Sequence, residues 1–149
     1  MTYKIKILIY TLFIFHYCLP DSLQDIFNQS GPGNGYDKYV ILEPNTTYTG
    51  GVGIYEGNVY LNCNGSVIDL IDGQGIWVYA DEEYPSSFDI EFCTITNGLY
   101  YGLSYGGSST GNINNCNFIQ TNFGLKLFDE STVFVTNSIF ANQQSMGIG

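Results

Sequence analysis

Ile90-Glu91-Phe92-Cys93-Thr94-Ile95, Ile113-Asn114-Asn115-Cys116-Asn117-Phe118 and Val135-Thr136-Asn137-Ser138-Ile139-Phe140 are three lines of one repeat. Each is followed by a glycine–apolar pair: Gly102-Leu103, Gly124-Leu125 and Gly147-Ile148. From Ile90 to Ile113 is 23 residues and from Ile113 to Val135 is 22, while the glycines are 22 and 23 apart. A fixed period of this size marks a solenoid, in which each repeat is one coil and neighbouring coils bury each other's apolar face. Apolar residues alternate with polar ones around Cys116 and Phe118 and through Leu125-Lys126-Leu127. Alternation of that kind is the period of a strand. Glycine and asparagine fall at the corners, where tight or left-handed backbone is needed.

The pairs Gly53-Ile54 and Gly75-Ile76 carry the count backwards with a spacing of 22. The interval from Gly75 to Gly102 is 27, and Asp81-Glu82-Glu83-Tyr84-Pro85-Ser86-Ser87 supplies the excess as a loop bulging from a corner. The expected fold is all-β: a solenoid of parallel sheets with about four to five coils over residues 39–149, with a short helix over Asp21 to Gln29 capping the first coil and the far end uncapped.

The pattern of Asn115-Cys116-Asn117-Phe118, a loop, and Gly124-Leu125-Lys126-Leu127 resembles the repeats of the pectate-lyase-like superfamily. Ile71-Asp72-Gly73-Gln74-Gly75 is similar to a turn common in polygalacturonases. The resemblance implies a right-handed parallel β-helix; it does not imply an activity, because that superfamily holds lyases, hydrolases and non-catalytic surface proteins.

The first twenty residues read as a secretory signal peptide: Lys4 and Lys6 precede an apolar run from Ile7 to Tyr17 that is too short to span a membrane. An extracellular or cell-surface location is therefore expected, and three Asn-x-Ser/Thr triplets begin at Asn28, Asn45 and Asn64. The chain carries four Lys or Arg against fourteen Asp or Glu, a formal charge of −10 that becomes −12 once Lys4 and Lys6 leave. Nucleic acids and anionic membranes need a basic footprint, so neither is an expected partner. A neutral or cationic glycan, or calcium, suits the charge; so does a surface that is acidic for solubility alone.

Cys93 and Cys116 stand in register on neighbouring coils, with Cys63 outside their column. Strands lie about 4.8 Å apart, close enough for a bridge, but two parallel in-register vectors strain it. A stacked pair of buried thiols is expected. Ser145-Met146-Gly147-Ile148-Gly149 stops in mid-coil, so that edge is expected to meet further coils or a second copy.

Alternation turns Ile76, Val78, Leu103, Tyr105, Leu125, Leu127 and Ile148 inward. It turns Trp77, Ser104 and Lys126 outward in one column and Tyr79, Gly106 and Phe128 in the next. Aromatic faces stack on sugar rings, and carboxylates take sugar hydroxyls or calcium. Trp77, Tyr79, Lys126 and Phe128 are thus the candidate glycan-binding residues, with Asp81, Glu83 and Asp129 as calcium candidates.

Catalytic motifs are largely missing. Pectate lyases of this superfamily commonly use an arginine base, and the chain has no Arg; the signatures of the polygalacturonases are missing too. Two carboxylates about 6.5–9.5 Å apart suffice for an inverting hydrolase, which leaves Asp81 or Glu83 with Asp129. Some β-helix lyases pair calcium with a lysine base, for which Lys126 is the candidate. The leading expectation is a secreted non-catalytic module that contacts a polysaccharide or cell-surface glycan. The alternative is part of a polysaccharide lyase or glycoside hydrolase acting on acidic polysaccharide, with its catalytic coils beyond Gly149.

Overall fold

The computed structural model describes residues 21–149. The expected signal peptide, with Cys18, lies outside the described residues. The chain is a parallel β-helix of about six coils. Strands β1 (Asp21–Ser22), β3 (Thr47–Thr49), β6 (Val67–Asp69), β9 (Thr94–Thr96), β12 (Asn117–Ile119) and β15 (Ile139–Ala141) stack as a first sheet. The second sheet stacks β4 (Gly53–Ile54), β7 (Ile76–Ala80), β10 (Tyr101–Gly107), β13 (Phe123–Leu127) and β16 (Met146–Ile148). The third stacks β2 (Lys38–Ile41), β5 (Gly57–Asn62), β8 (Ser86–Glu91), β11 (Thr110–Asn114) and β14 (Thr132–Thr136). Every ladder between them is parallel.

Six coils exceed the four to five expected. The glycine pairs undercount because the first coil carries helix α1 (Leu23–Gln29) where later coils carry a second-sheet strand. Ser22 caps that helix, its Oγ accepting the Asp25 N–H at 3.3 Å. Leu23 is fully buried over the first coil, with Ile26 and Phe27 packed beside it. No helix among the described residues is long and apolar enough to cross a membrane.

Inward side chains form ladders down the axis. Ile68, Ile95, Phe118 and Phe140 follow one another in register, and the two phenyl rings stack at 4.8 Å and 3°. Val40, Leu61, Ile90, Ile113 and Val135 do the same on the third sheet. Each fully buried aliphatic or phenyl group contributes about 1.5–3 kcal/mol, so the ladders supply the main driving force. Ile76, Val78, Leu103, Tyr105 and Leu125 are buried as expected, Leu127 is partly buried, and Ile148 in the last coil keeps 50% of its surface exposed. The corners between third and first sheets place Phe92, Asn115 and Asn137 at φ 54°, 51° and 49°. Left-handed backbone at successive corners explains the asparagines there; Phe92 adopts it without that advantage.

Two expectations need correcting. The first glycine pair is Gly51-Val52, not Gly53-Ile54: Gly53 pairs with Trp77 and Ile54 with Val78, while the Trp77 N–H donates to the Val52 carbonyl at 2.9 Å. Residues 53–54 repeat the glycine–apolar motif two places late, which disguises the register. Secondly, Cys93 is not a thiol stacked on Cys116. It is bonded to Cys63, with Cα atoms 4.9 Å apart, and among the described residues Cys116 is left free and buried. Cys63 does stand outside the ladder, for it is Ser66 whose carbonyl accepts the Thr94 N–H, as that of Cys93 accepts the Asn117 N–H. The longer corner from Cys63 to Ser66 lets Cys63 reach Cys93 from out of register, avoiding the strain of an in-register bridge.

Candidate functional site

The second sheet presents its outward side chains where the alternation puts them. Ser104 lies in register between Trp77 and Lys126, and Gly106 faces Tyr79. Trp77, Tyr79 and Phe128 are exposed. Ser104 is buried, since its small side chain is shaded by the longer ones on either side; its hydroxyl reaches only the Ile76 carbonyl, at 3.4 Å. A Cβ on Gly106 would sit 3.3 Å from the Tyr79 ring and 3.8 Å from the Phe128 Cβ, so the glycine lets those side chains lie flat across the strand between them.

Tyr101 is the hub of this face. Its ring lies 5.8 Å from Trp77 at 66°, 5.7 Å from Phe128 at 81° and 6.0 Å from Phe123. Near-perpendicular packing of this kind is the favoured edge-to-face geometry. Lys126 completes the cluster, its Nζ 4.9 Å from the Phe123 centroid and 5.6 Å from that of Phe128. The lysine is thus held against rings by cation–π attraction.

Tyr79 also belongs to a groove of about 940 Å³ at the corner where the second sheet turns into the third. Its walls carry Tyr55, Tyr79 and Tyr84, which are 59%, 45% and 47% exposed. Tyr55 comes from the corner after β4, one coil before Tyr79. Tyr84 comes from the loop Asp81–Pro85, shorter than the expected bulge because Ser86 and Ser87 already belong to β8. The Asp81 carboxylate shapes that loop: Oδ1 accepts the Glu83 N–H at 3.0 Å and the Tyr84 N–H at 2.8 Å. The Tyr84 hydroxyl in turn donates to Glu83 at 3.0 Å, which raises its pKa above the usual tyrosine value. Trp77 borders a shallower depression that shares Tyr55 with the groove.

The structure therefore divides the predicted residues. Tyr79 and Asp81 meet in the groove, with Glu83 on its loop. Trp77, Lys126 and Phe128 meet around Tyr101. Asp129 stands apart from the groove, its Oδ2 accepting the Gly107 N–H at 3.1 Å. No set of three or more His, Cys, Asp or Glu among the described residues is arranged to hold a metal ion.

Sequence reasoning missed Tyr55, Tyr84 and Tyr101. Tyr55 was legible had Gly51-Val52 been matched to Gly75-Ile76, since Tyr55 then aligns with Tyr79. It also missed a tyrosine patch on the third sheet. Tyr39 and Tyr60 are in register and stack at 4.9 Å and 9°, and Tyr36 tilts against Tyr60 at 5.2 Å. The Tyr36 hydroxyl donates to Asp89 at 2.7 Å, and that of Tyr60 donates to Glu91. The hydrogen bond to Asp89 is the main cause that pushes Tyr36 up to about 12; burial, followed by the bond to Glu91, also raises Tyr60. Asp89 is occupied again by the Asn112 N–H and side-chain amide, each at 2.8 Å, and Glu91 by Asn62 at 3.1 Å. With both carboxylates spoken for, this patch ties coils together, whereas the groove rings stand open. Comparison of the chain with known protein families, curated proteins and solved structures finds no match.

Proposed function

We propose that this chain is a secreted, non-catalytic β-helix module of the pectate-lyase-like kind that contacts a glycan through the groove at Tyr55, Tyr79 and Tyr84. The observation that carries the proposal is the exposure of three tyrosine rings around one groove, beside carboxylates able to accept sugar hydroxyls. Sugar rings bind by stacking an apolar face on an aromatic ring while their hydroxyls find polar partners, and the groove offers both. Export is supported by the basic and apolar start of the sequence and by the Cys63–Cys93 bridge, since disulfides persist in oxidising compartments. Kinship with the superfamily is supported by the glycine–apolar repeat and by three stacked parallel sheets.

Affinity electrophoresis through gels holding different polysaccharides tests the proposal. At least one glycan should retard the protein, Tyr79→Ala should abolish most of the retardation, and no new reducing ends should form. Product release that vanishes in Lys126→Ala would establish the lyase alternative instead.

A further inference from the structure

The groove's charge narrows what it can hold. Asp37, Glu56 and Asp81 line it beside the three tyrosines, and all three are exposed. Asp37 uses Oδ2 to accept the Asn58 N–H at 2.7 Å, and Asp81 uses Oδ1 within its own loop. Among the described residues, Oδ1 of Asp37, Oδ2 of Asp81 and both oxygens of Glu56 have no hydrogen-bond donor. Lys38 also borders the groove, but its donors are engaged away from the carboxylates. Its Nζ donates to the Phe27 carbonyl at 2.7 Å and to the Ser30 carbonyl at 3.2 Å, and lies 4.5 Å from the Phe27 centroid. Lys126 is two coils further along the axis, held against Phe123 and Phe128.

The walls thus combine aromatic faces with three carboxylates against one lysine whose donors are already taken, which leaves an excess of negative charge. A uronate or sulfated sugar would meet repulsion there. A ring that carries an amine would gain a charge-assisted hydrogen bond at the carboxylates and a cation–π contact at the tyrosines. We infer that the groove selects a glycan of amine-bearing sugars, such as a polymer of glucosamine, over neutral and acidic ones. The inference rests on the glycan-binding function proposed above and assigns its ligand class. A basic peptide shares the charge, but it lacks the flat C–H face of a sugar ring that three open tyrosines match.

Calorimetric titration of the mature protein with four probes tests it: an oligomer of β-1,4-linked glucosamine, its N-acetylated counterpart, an oligogalacturonate and a lysine-rich peptide. The glucosamine oligomer should bind about tenfold more tightly than the N-acetylated one, the ratio that one well-placed charge contact of about 1.4 kcal/mol produces. Added salt should narrow that ratio. Glu56→Gln should weaken binding of the glucosamine oligomer about threefold, as suits an exposed ion pair, and so narrow its advantage over the N-acetylated oligomer. Tyr79→Ala should weaken both. Equal binding of the two oligomers, or preference for the galacturonate, would overturn the charge selection and leave glycan binding standing. Binding of the peptide alone would overturn both, and binding of no probe would overturn the ligand class assigned here.

Discussion

Cys63 and Cys93 are bonded from different levels of the sheet ladder, their Cα atoms 4.9 Å apart, while Cys116, which does lie in register with Cys93, stays reduced. The bridge closes 30 residues of chain and fastens the corners of two successive coils. A loop of this length corresponds to about 3–4 kcal/mol of stabilisation. Mild reduction should therefore lower the denaturant midpoint markedly. Peptide mapping without reduction should recover Cys63 linked to Cys93, and a Cys93–Cys116 link would refute the assignment.

Cys116 gives a second readout. Burial pushes its thiol up to about 11, and the side chain has no exposed surface. An alkylating reagent should leave it unmodified in the folded protein, even in mildly alkaline buffer, and modify it once the chain is unfolded. Rapid labelling of native protein would show that the corner opens.

Tyr36 and Asp89 predict a pH dependence. The folded-state pKa of Tyr36 is raised to about 12, from about 10 in an unfolded chain. The hydroxyl is thus held neutral by folding. Its contribution is complete below about pH 10 and is lost as pH rises through the folded value near 12. Tyr60 behaves in the same sense. Absorbance titration should show Tyr36, Tyr60 and the wholly buried Tyr105 all ionising late, and Asp89→Asn should return Tyr36 towards the ordinary value without moving Tyr60 comparably.

Tyr105 is wholly buried, and its hydroxyl donates to the Phe88 carbonyl at 2.7 Å. Tyr105→Phe should cost about 1–2 kcal/mol, because an acceptor loses its buried donor. Gly111→Ala should cost more, about 3 kcal/mol, since the added Cβ would fall 2.1 Å from that same carbonyl oxygen and 2.5 Å from the Tyr105 hydroxyl. Urea denaturation of the two variants checks the order.

Trp77 is the single tryptophan of the chain and packs edge-on to Tyr101. Tyr101→Ala should shift its emission to longer wavelength by opening it to water, with a stability loss of about 1 kcal/mol from the ring contacts. Unchanged emission would mean that Tyr101 does not hold the cluster.

Much of the architecture was legible because inward positions must repeat wherever coils stack. Ile90 with Ile113, Leu103 with Leu125 and the alternation about Lys126 each follow from that demand. Trp77, Tyr79 and Phe128 could be turned outward by the same rule. The groove escaped because one of its members stands outside the period and another was masked within it. Tyr84 lies on an inserted loop, and Tyr55 was hidden when Gly53-Ile54 imitated the true pair Gly51-Val52. The bridge escaped for a related reason: the longer Cys63-to-Ser66 corner moves a cysteine sideways, and spacing alone carries no sideways information.

The Asp81–Pro85 loop lies between two strands, β7 and β8, each registered on both sides by its neighbours. Beyond the Pro85 carbonyl, which accepts the Gly57 N–H at 3.0 Å, nothing in the ladders counts the loop's residues. A lineage could lengthen it, replace Tyr84 or reverse the sign of Asp81 and inherit the same scaffold intact. Descent can thus reshape the groove one corner at a time, as a printer changes a single piece of type without recasting the page.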